Sequence, residues 1–243
     1  MASQPIYQIY AELADYEPKM WRRFQVMQNI SIARLGYIIM TLFEMQASHL
    51  FCIEVPYRSN YIQHKEKQGA PTTDELVTFI RPVLRYEVQN EWSAEFVDVQ
   101  SMDACSNKLY KVLENEGDRA SMQYDYGDGW EINLTVEKIF QDTELPGKEL
   151  PRVLDGAGYG IIEDCGGTGG LEDIAEAFKK GSGEMYDTYS QWLGVEELDL
   201  ATFDLEDMNF RLKKVPRIYS DAYELNLQPS DYSMRILTRE YLK

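Results

Sequence analysis

The stretch Ser121–Ile139 restricts the fold more than any other part of the chain. Met122, Tyr124 and Tyr126 alternate with Gln123 and Asp125. Gly127-Asp128-Gly129 follows, and then Trp130, Ile132, Leu134 and Val136 alternate with Glu131, Asn133, Thr135 and Glu137. Period-two alternation on both sides of a glycine-bearing three-residue loop predicts a β-hairpin with one buried and one wet face. The wet face and the turn then carry Asp125, Asp128 and Glu131.

The N-terminal third supplies partners for this hairpin. Ile6–Leu13 reads as a strand with Tyr7, Ile9, Ala11 and Leu13 on one face, and Asp15-Tyr16-Glu17-Pro18 breaks it. Trp21–Val26 reads as a second short strand. Its neighbours Arg22 and Arg23 are expected to pair with local carboxylates. Ser31 has the chemistry of an N-cap, and Ile32, Leu35, Ile39, Leu42 and Phe43 recur at helical spacing, so Ser31–Met45 is the main core helix. His49–Val55 reads as a third strand. Pro56–Thr73 is polar and reads as a surface loop carrying a solvated His64. Thr73 caps a short helix through Phe79, Arg85–Val88 and Ala94–Val99 read as strands, and Ser106–Leu113 as a short helix with Leu109, Val112 and Leu113 inward.

The fold class that follows is α+β: a mixed sheet with a central hairpin packed on a core helix, and an acidic, mostly helical C-terminal part. Leu145-Pro146-Gly147 divides residues 1–145, the α+β core, from residues 146–243, the acidic part of the same fold or a subdomain. From Val153 to Phe210 the only basic residues are Lys179 and Lys180, yet Tyr186, Tyr189, Trp192, Leu193 and Phe203 give the segment enough apolar surface to fold. Leu171–Lys180 and Glu184–Trp192 read as helices, Asn226–Pro229 as a turn and Tyr232–Tyr241 as a strand or tail.

The chain carries 24 basic and 41 acidic residues, a formal charge of -17 over 243 residues. Such a surface repels nucleic acid and anionic membrane and attracts cationic proteins or metal ions. Three scattered cysteines, Cys52, Cys105 and Cys165, form no CxxC pair and point to a reducing cytosol rather than a disulfide framework. The first residues lack a secretory n-region and h-region, so a cytoplasmic location is expected.

Most chemical motifs fail on their own terms. The glycine runs Gly156–Gly160 and Gly166–Gly170 lack the Gly-Lys-Ser/Thr of a phosphate loop and are flanked by Glu163-Asp164 and Glu172-Asp173, so they read as tight backbone turns. Asp125–Gly129 lacks the alternating oxygens and the distal glutamate of an EF-hand. No nucleophile elbow is present, and carboxylates beside Cys165 oppose its ionisation. A metal site assembled from distant segments has His49, Asp125, Asp128, Glu163, Asp164 and Cys165 as candidate ligands, a set that suits zinc better than calcium. His49 and Cys52 lie three apart, point to opposite faces of a strand and make no chelating pair.

Several stretches carry a resemblance: Tyr7–Leu13 leading to Pro18-Lys19-Met20-Trp21-Arg22-Arg23, Leu42-Phe43 with Ser48-His49-Leu50-Phe51, Tyr124-Asp125-Tyr126-Gly127-Asp128-Gly129-Trp130-Glu131, Glu163-Asp164-Cys165-Gly166-Gly167, and Phe203-Asp204 with Asn209. In this order they resemble the pRiA plasmid ORF-three-like family, also met as a passenger protein of an insertion sequence. The resemblance implies a compact α+β fold and an origin on mobile elements. It implies no activity. The chain departs from the family at Ile132, where a histidine is usual, at Gly160-Ile161-Ile162, where Cys-Pro-Pro is usual, and at Glu44-Met45, where Gly-Trp is usual.

Together these features predict an acidic phage or plasmid accessory protein rather than an enzyme. Its partner would be a basic surface on a host nuclease or other nucleic-acid-binding protein, with no direct binding of nucleic acid or membrane. Its binding face would comprise Glu184, Asp187, Glu196, Glu197, Asp199, Asp204, Glu206 and Asp207, standing where phosphates would lie. The alternative is a zinc-containing protein, structural or hydrolytic, built on His49, Cys165 and nearby carboxylates.

Overall fold

A computed structural model describes residues 4–70, 78–89 and 100–242. Strands β1 (Ile6–Leu13), β2 (Trp21–Met27), β3 (Phe51–Val55), β4 (Leu84–Glu87), β5 (Met102–Asp103), β6 (Arg119–Tyr124), β7 (Trp130–Phe140) and β8 (Arg152–Ala157) form one sheet in the order β5-β4-β3-β6-β7-β1-β2-β8. Only β4 and β5 run parallel; the other neighbours are antiparallel. The sheet is therefore mixed, and the β6–β7 hairpin sits at its centre.

Alternation holds where the sequence predicts it. Trp130, Ile132, Leu134 and Val136 are buried along β7, and Ile9, Ala11 and Leu13 along β1. The opposite face is wet and polar. There Arg23 forks onto Glu137 at 2.7 and 2.8 Å, as the sequence suggests. Arg22 behaves differently. It is fully buried, lies within ion-pair distance of no carboxylate among the described residues, and donates to five backbone carbonyls.

The core helix α1 (Ile32–Leu42) starts at Ser31, whose Oγ accepts from Arg34 N at 3.0 Å. Every residue of α1 except Arg34 is buried. A helix that is apolar all round must be covered on both sides. The sheet covers one side, with Gly36 so close to β3 that a Cβ there would lie 2.4 Å from Phe51 Cε2. Helices α6 (Leu205–Leu212) and α7 (Val215–Leu225) cover the other. The result is three layers: sheet, buried helix and C-terminal helices.

Three readings of the sequence are corrected. The loop expected over Pro56–Thr73 contains helix α2 (Tyr57–Lys67), whose single buried residue is Asn60. The Asn60 amide bridges to Arg119 N and O at 3.0 and 2.9 Å, so a polar group rather than an apolar stripe docks the helix. The glycine run from Gly156 begins inside strand β8, which pairs with β2; Gly158 and Gly160 do take positive φ. The strand or tail expected over Tyr232–Tyr241 is helix α8 (Asp231–Leu237) and a 3-10 turn. The short helix expected at Ser106–Leu113 is α3 (Leu109–Val112), with Leu109, Val112 and Leu113 buried. The acidic segment folds into α4 (Gly167–Lys180) and α5 (Glu184–Leu193) ahead of α6. The strand read at Ala94–Val99 and most of the helix from Thr73 lie outside the described residues. Among the described residues no helix is long and apolar enough to cross a membrane.

Candidate functional site

Three loops converge beside α1: the one leaving α1 (43–50), the hairpin turn (125–129) and the one before α4 (158–166). The turn is two residues longer than the sequence suggests. β6 ends at Tyr124, and Asp125 enters the left-handed region at φ 52°. Its Oδ1 accepts from Gly127 N at 3.0 Å and its carbonyl from Gly129 N at 2.6 Å, so an Asx-type turn closes the hairpin. This withdraws Asp125 from the wet face; it is only 8% exposed. Tyr126 leaves the strand and lies half exposed beside Arg85 and Glu87.

Glu163 binds the loops to one another. Its carboxylate is buried and accepts from Gln46 N at 2.6 Å, Ser48 Oγ at 2.5 Å and the Tyr124 hydroxyl. Burial and the Glu163 charge push the Tyr124 phenol far above its ordinary range, so it stays a donor. Asp125 N donates to Leu50 O at 3.0 Å and Ile161 N to Phe43 O at 2.9 Å, adding two backbone ties. Asp128 Oδ2 accepts from Gly166 N at 3.2 Å. The Tyr223 hydroxyl of α7 donates to His49 O, and Tyr219 donates to Met45 O at 2.5 Å.

Within this frame His49, Asp125 and Asp164 come together. His49 Nε2 lies 3.5 Å from Asp125 Oδ2 and 3.5 Å from Asp164 Oδ1, and the three donor atoms lie within 4.8 Å of one another. The His49 ring stands edge-on to Tyr124 at 5.8 Å. The other proposed ligands are elsewhere. Glu163 is occupied by its three donors, Asp128 caps Gly166, and Cys165 Sγ contacts Gly167 O at 3.5 Å. Burial, then Asp128, pushes the Cys165 thiol up to about 11, which keeps it protonated. Cys52 is buried in β3, apart from His49 in the preceding loop.

His49 and Asp164 also line a cleft of ≈ 1040 Å³ between the α1 loop, α5 and the α7–α8 connection. Trp192, Val195, Ile218 and Leu227 give it apolar walls, and Arg211 and Arg239 sit on its floor with Glu44. Glu44 occupies the left-handed region at φ 61°, where a glycine would be unstrained. Arg239 holds its carboxylate with two bonds of 2.5 and 3.0 Å and also reaches Asp207 at 2.9 Å.

Of the eight carboxylates read as a binding face, Glu184, Asp187, Glu196, Glu197, Asp199, Asp204 and Glu206 are exposed. Asp204 caps α6 and Asp199 bonds Ala201 N and Thr202. Asp207 is consumed by Arg239 and Tyr241. Ser48 and Tyr124 stand in the sequence only as a loop residue and an inward strand residue, and nothing there marks them, or the Arg239 clamp, as partners of buried carboxylates. Glu163, which it proposed as a ligand, serves to position the loops.

Comparison with known proteins places this arrangement. The family profile described as "Plasmid pRiA4b ORF-3-like protein" matches residues 5–210. The chain belongs to the plasmid pRiA4b ORF-3-like family. A relative in Sinorhizobium fredii (strain NBRC 101917 / NGR234), "Uncharacterized protein y4hQ", is 23% identical over 205 residues, covering 84% of this chain and 89% of its own length. A crystal structure titled as a protein of unknown function, MM3350 from Methanosarcina mazei Go1, superposes with a TM-score of 0.63 at 24% identity, covering 84% of this chain and 97% of its own. That likeness concerns the fold alone. The family ties the chain to plasmid-borne elements. A histidine at position 132 would not join the three-residue cluster, because Ile132 is buried in β7 opposite Met122 and Leu13.

Proposed function

We propose that this plasmid-family protein is an accessory factor that binds a basic surface on a host nucleic-acid-handling protein. The observation that carries the reading is helix α5. No residue of α5 is buried. It holds Met185 and Trp192 about half exposed, beside Glu184 and Asp187, and Val195, Glu196 and Glu197 extend the surface. None of these four carboxylates is in an ion pair among the described residues. Tryptophan and methionine anchor interfaces, and unpaired carboxylates around them select a basic partner. The net charge of -17 adds long-range attraction.

On a nuclease the carboxylates would occupy the positions of substrate phosphates, making the chain a competitive inhibitor of a defence enzyme. The reading is tested by capturing host proteins on the native chain and on a variant with Glu184, Asp187, Glu196 and Glu197 all changed to lysine. A captured partner should carry a basic patch, be released by salt screening over about 8–10 Å, be displaced by DNA, and ignore the charge-reversed variant. Capture indifferent to salt, or equal capture by both proteins, overturns it.

A further inference from the structure

We infer that His49, Asp125 and Asp164 form a site for one divalent cation of borderline character, Zn²⁺ in preference to Mn²⁺, on the wall of the cleft. The inference does not depend on the acidic face, since α5 contributes no ligand to it.

Three observations carry it. The first is spacing. Metal–ligand bonds of about 2.0–2.2 Å meeting near the tetrahedral angle set donors roughly 3.3–3.6 Å apart. His49 Nε2 lies 3.5 Å from an oxygen of each aspartate. The second is an unsatisfied oxygen. The Asp125 side chain is 11% exposed, and while its Oδ1 takes Gly127 N, its Oδ2 accepts no hydrogen bond among the described residues and faces His49 Nε2 at 3.5 Å. A carboxylate oxygen with so little access to water is stabilised by a cation or a donor. The third is charge. Asp125 and Asp164 form ion pairs with no lysine or arginine among the described residues. Two carboxylates and a neutral imidazole present a charge of about -2, matching one divalent ion.

The donor set decides the metal. One imidazole and two carboxylates suit zinc or manganese, and zinc stands above manganese in the general affinity order. Calcium prefers six to eight oxygens and magnesium keeps its water. Cys165, the softest candidate, faces Gly167 and lies outside the set. Ligation through Nε2 places the ring proton on Nδ1. Asp164, with a side chain 73% exposed, leaves the remaining positions open towards the cleft.

Chelator-treated protein titrated calorimetrically with ZnCl₂, MnCl₂, CaCl₂ and MgCl₂ tests the site. One equivalent of zinc should bind, manganese more weakly, and calcium and magnesium not at all. Asp164→Asn and His49→Ala should each weaken zinc at least tenfold. Asn tolerates the φ of 62° at position 164, so Asp164→Asn should keep the native melting temperature. Cys165→Ser and His64→Ala should leave zinc binding within twofold. No uptake of zinc overturns the inference. So does zinc binding that survives Asp164→Asn or is lost in Cys165→Ser.

Discussion

Replacing Arg22 by methionine tests the packing logic most directly, because its neighbour in the same strand is the control. Arg22 Nε donates to Leu42 O at 2.9 Å, Nη1 to Trp21 O and Ala157 O at 2.8 and 2.7 Å, and Nη2 to Gly158 O and Tyr159 O, both at 2.8 Å. The guanidinium lies 4.1 Å from the Phe203 ring centroid and 5.2 Å from that of Phe43. One side chain thus joins the end of α1, strand β2 and the segment after β8. Burial lowers its pKa to about 10 from 12.5, a desolvation cost of about 3 kcal/mol. Methionine removes that cost but strands five carbonyl oxygens. At roughly 1–2 kcal/mol each the loss is about 5–10 kcal/mol, leaving a net destabilisation of about 2–7 kcal/mol. In a chain of this length that lowers the melting temperature by at least about 4 °C. Arg23→Met removes a partly exposed pair with Glu137 and should cost no more than about 1 kcal/mol. Urea unfolding of both variants gives the comparison. If Arg22→Met costs no more than Arg23→Met, the carbonyl cage is not what holds the C-terminal layer on.

Two further predictions concern charge. Burial pushes Cys52 and Cys165 up to about 11 and Cys105 up to about 12, from an ordinary 9.0. The unfolded thiols ionise first, so their contribution is complete below pH about 9 and is lost as pH rises towards 11, about 3 kcal/mol for the fully buried Cys52. The urea midpoint should therefore fall between pH 9 and 10.5, less so in Cys52→Ala, and a flat profile contradicts the assignment. Glu44→Gln leaves Arg239 and the buried Arg211 facing a neutral amide, and should cost roughly 3 kcal/mol. An unchanged melting temperature would show that the clamp contributes nothing.

What could be read from the sequence was what local periodicity encodes. β1, β2, α1 and the hairpin carry their own apolar pattern, and the structure has them within a few residues. α2 is not legible because no apolar residue in it repeats at helical spacing; a single asparagine docks it. β8 is not legible because its pairing with β2 is long-range, and Gly156 serves that approach: a Cβ there would lie 2.8 Å from Trp21 O. Of the candidate ligands, the sequence offered six without a way to choose among them. Glu163 and Asp164 are neighbours with opposite fates, one turned into the frame and one out to the cleft. No composition or spacing rule separates adjacent acids, because the separation is made by Ser48 and Tyr124 from other elements.

The family match ends at residue 210, and the helices beyond it complete the cleft. Tyr219 and Tyr223 of α7 bond the carbonyls of Met45 and His49, so the loop that presents His49 is braced from outside the matched region. Arg239 grips Glu44 from beyond α8. Position 44 joins these facts. A glycine there accommodates the left-handed backbone without strain but offers nothing to hold, whereas Glu44 accepts the strained φ and gains a bidentate partner. Glu44, at the end of the core helix, and Arg239, beyond α8, are therefore two halves of one contact. That contact sets the floor of the cleft on which His49 and Asp164 open, linking a change at the end of the core helix to the shape of the candidate site.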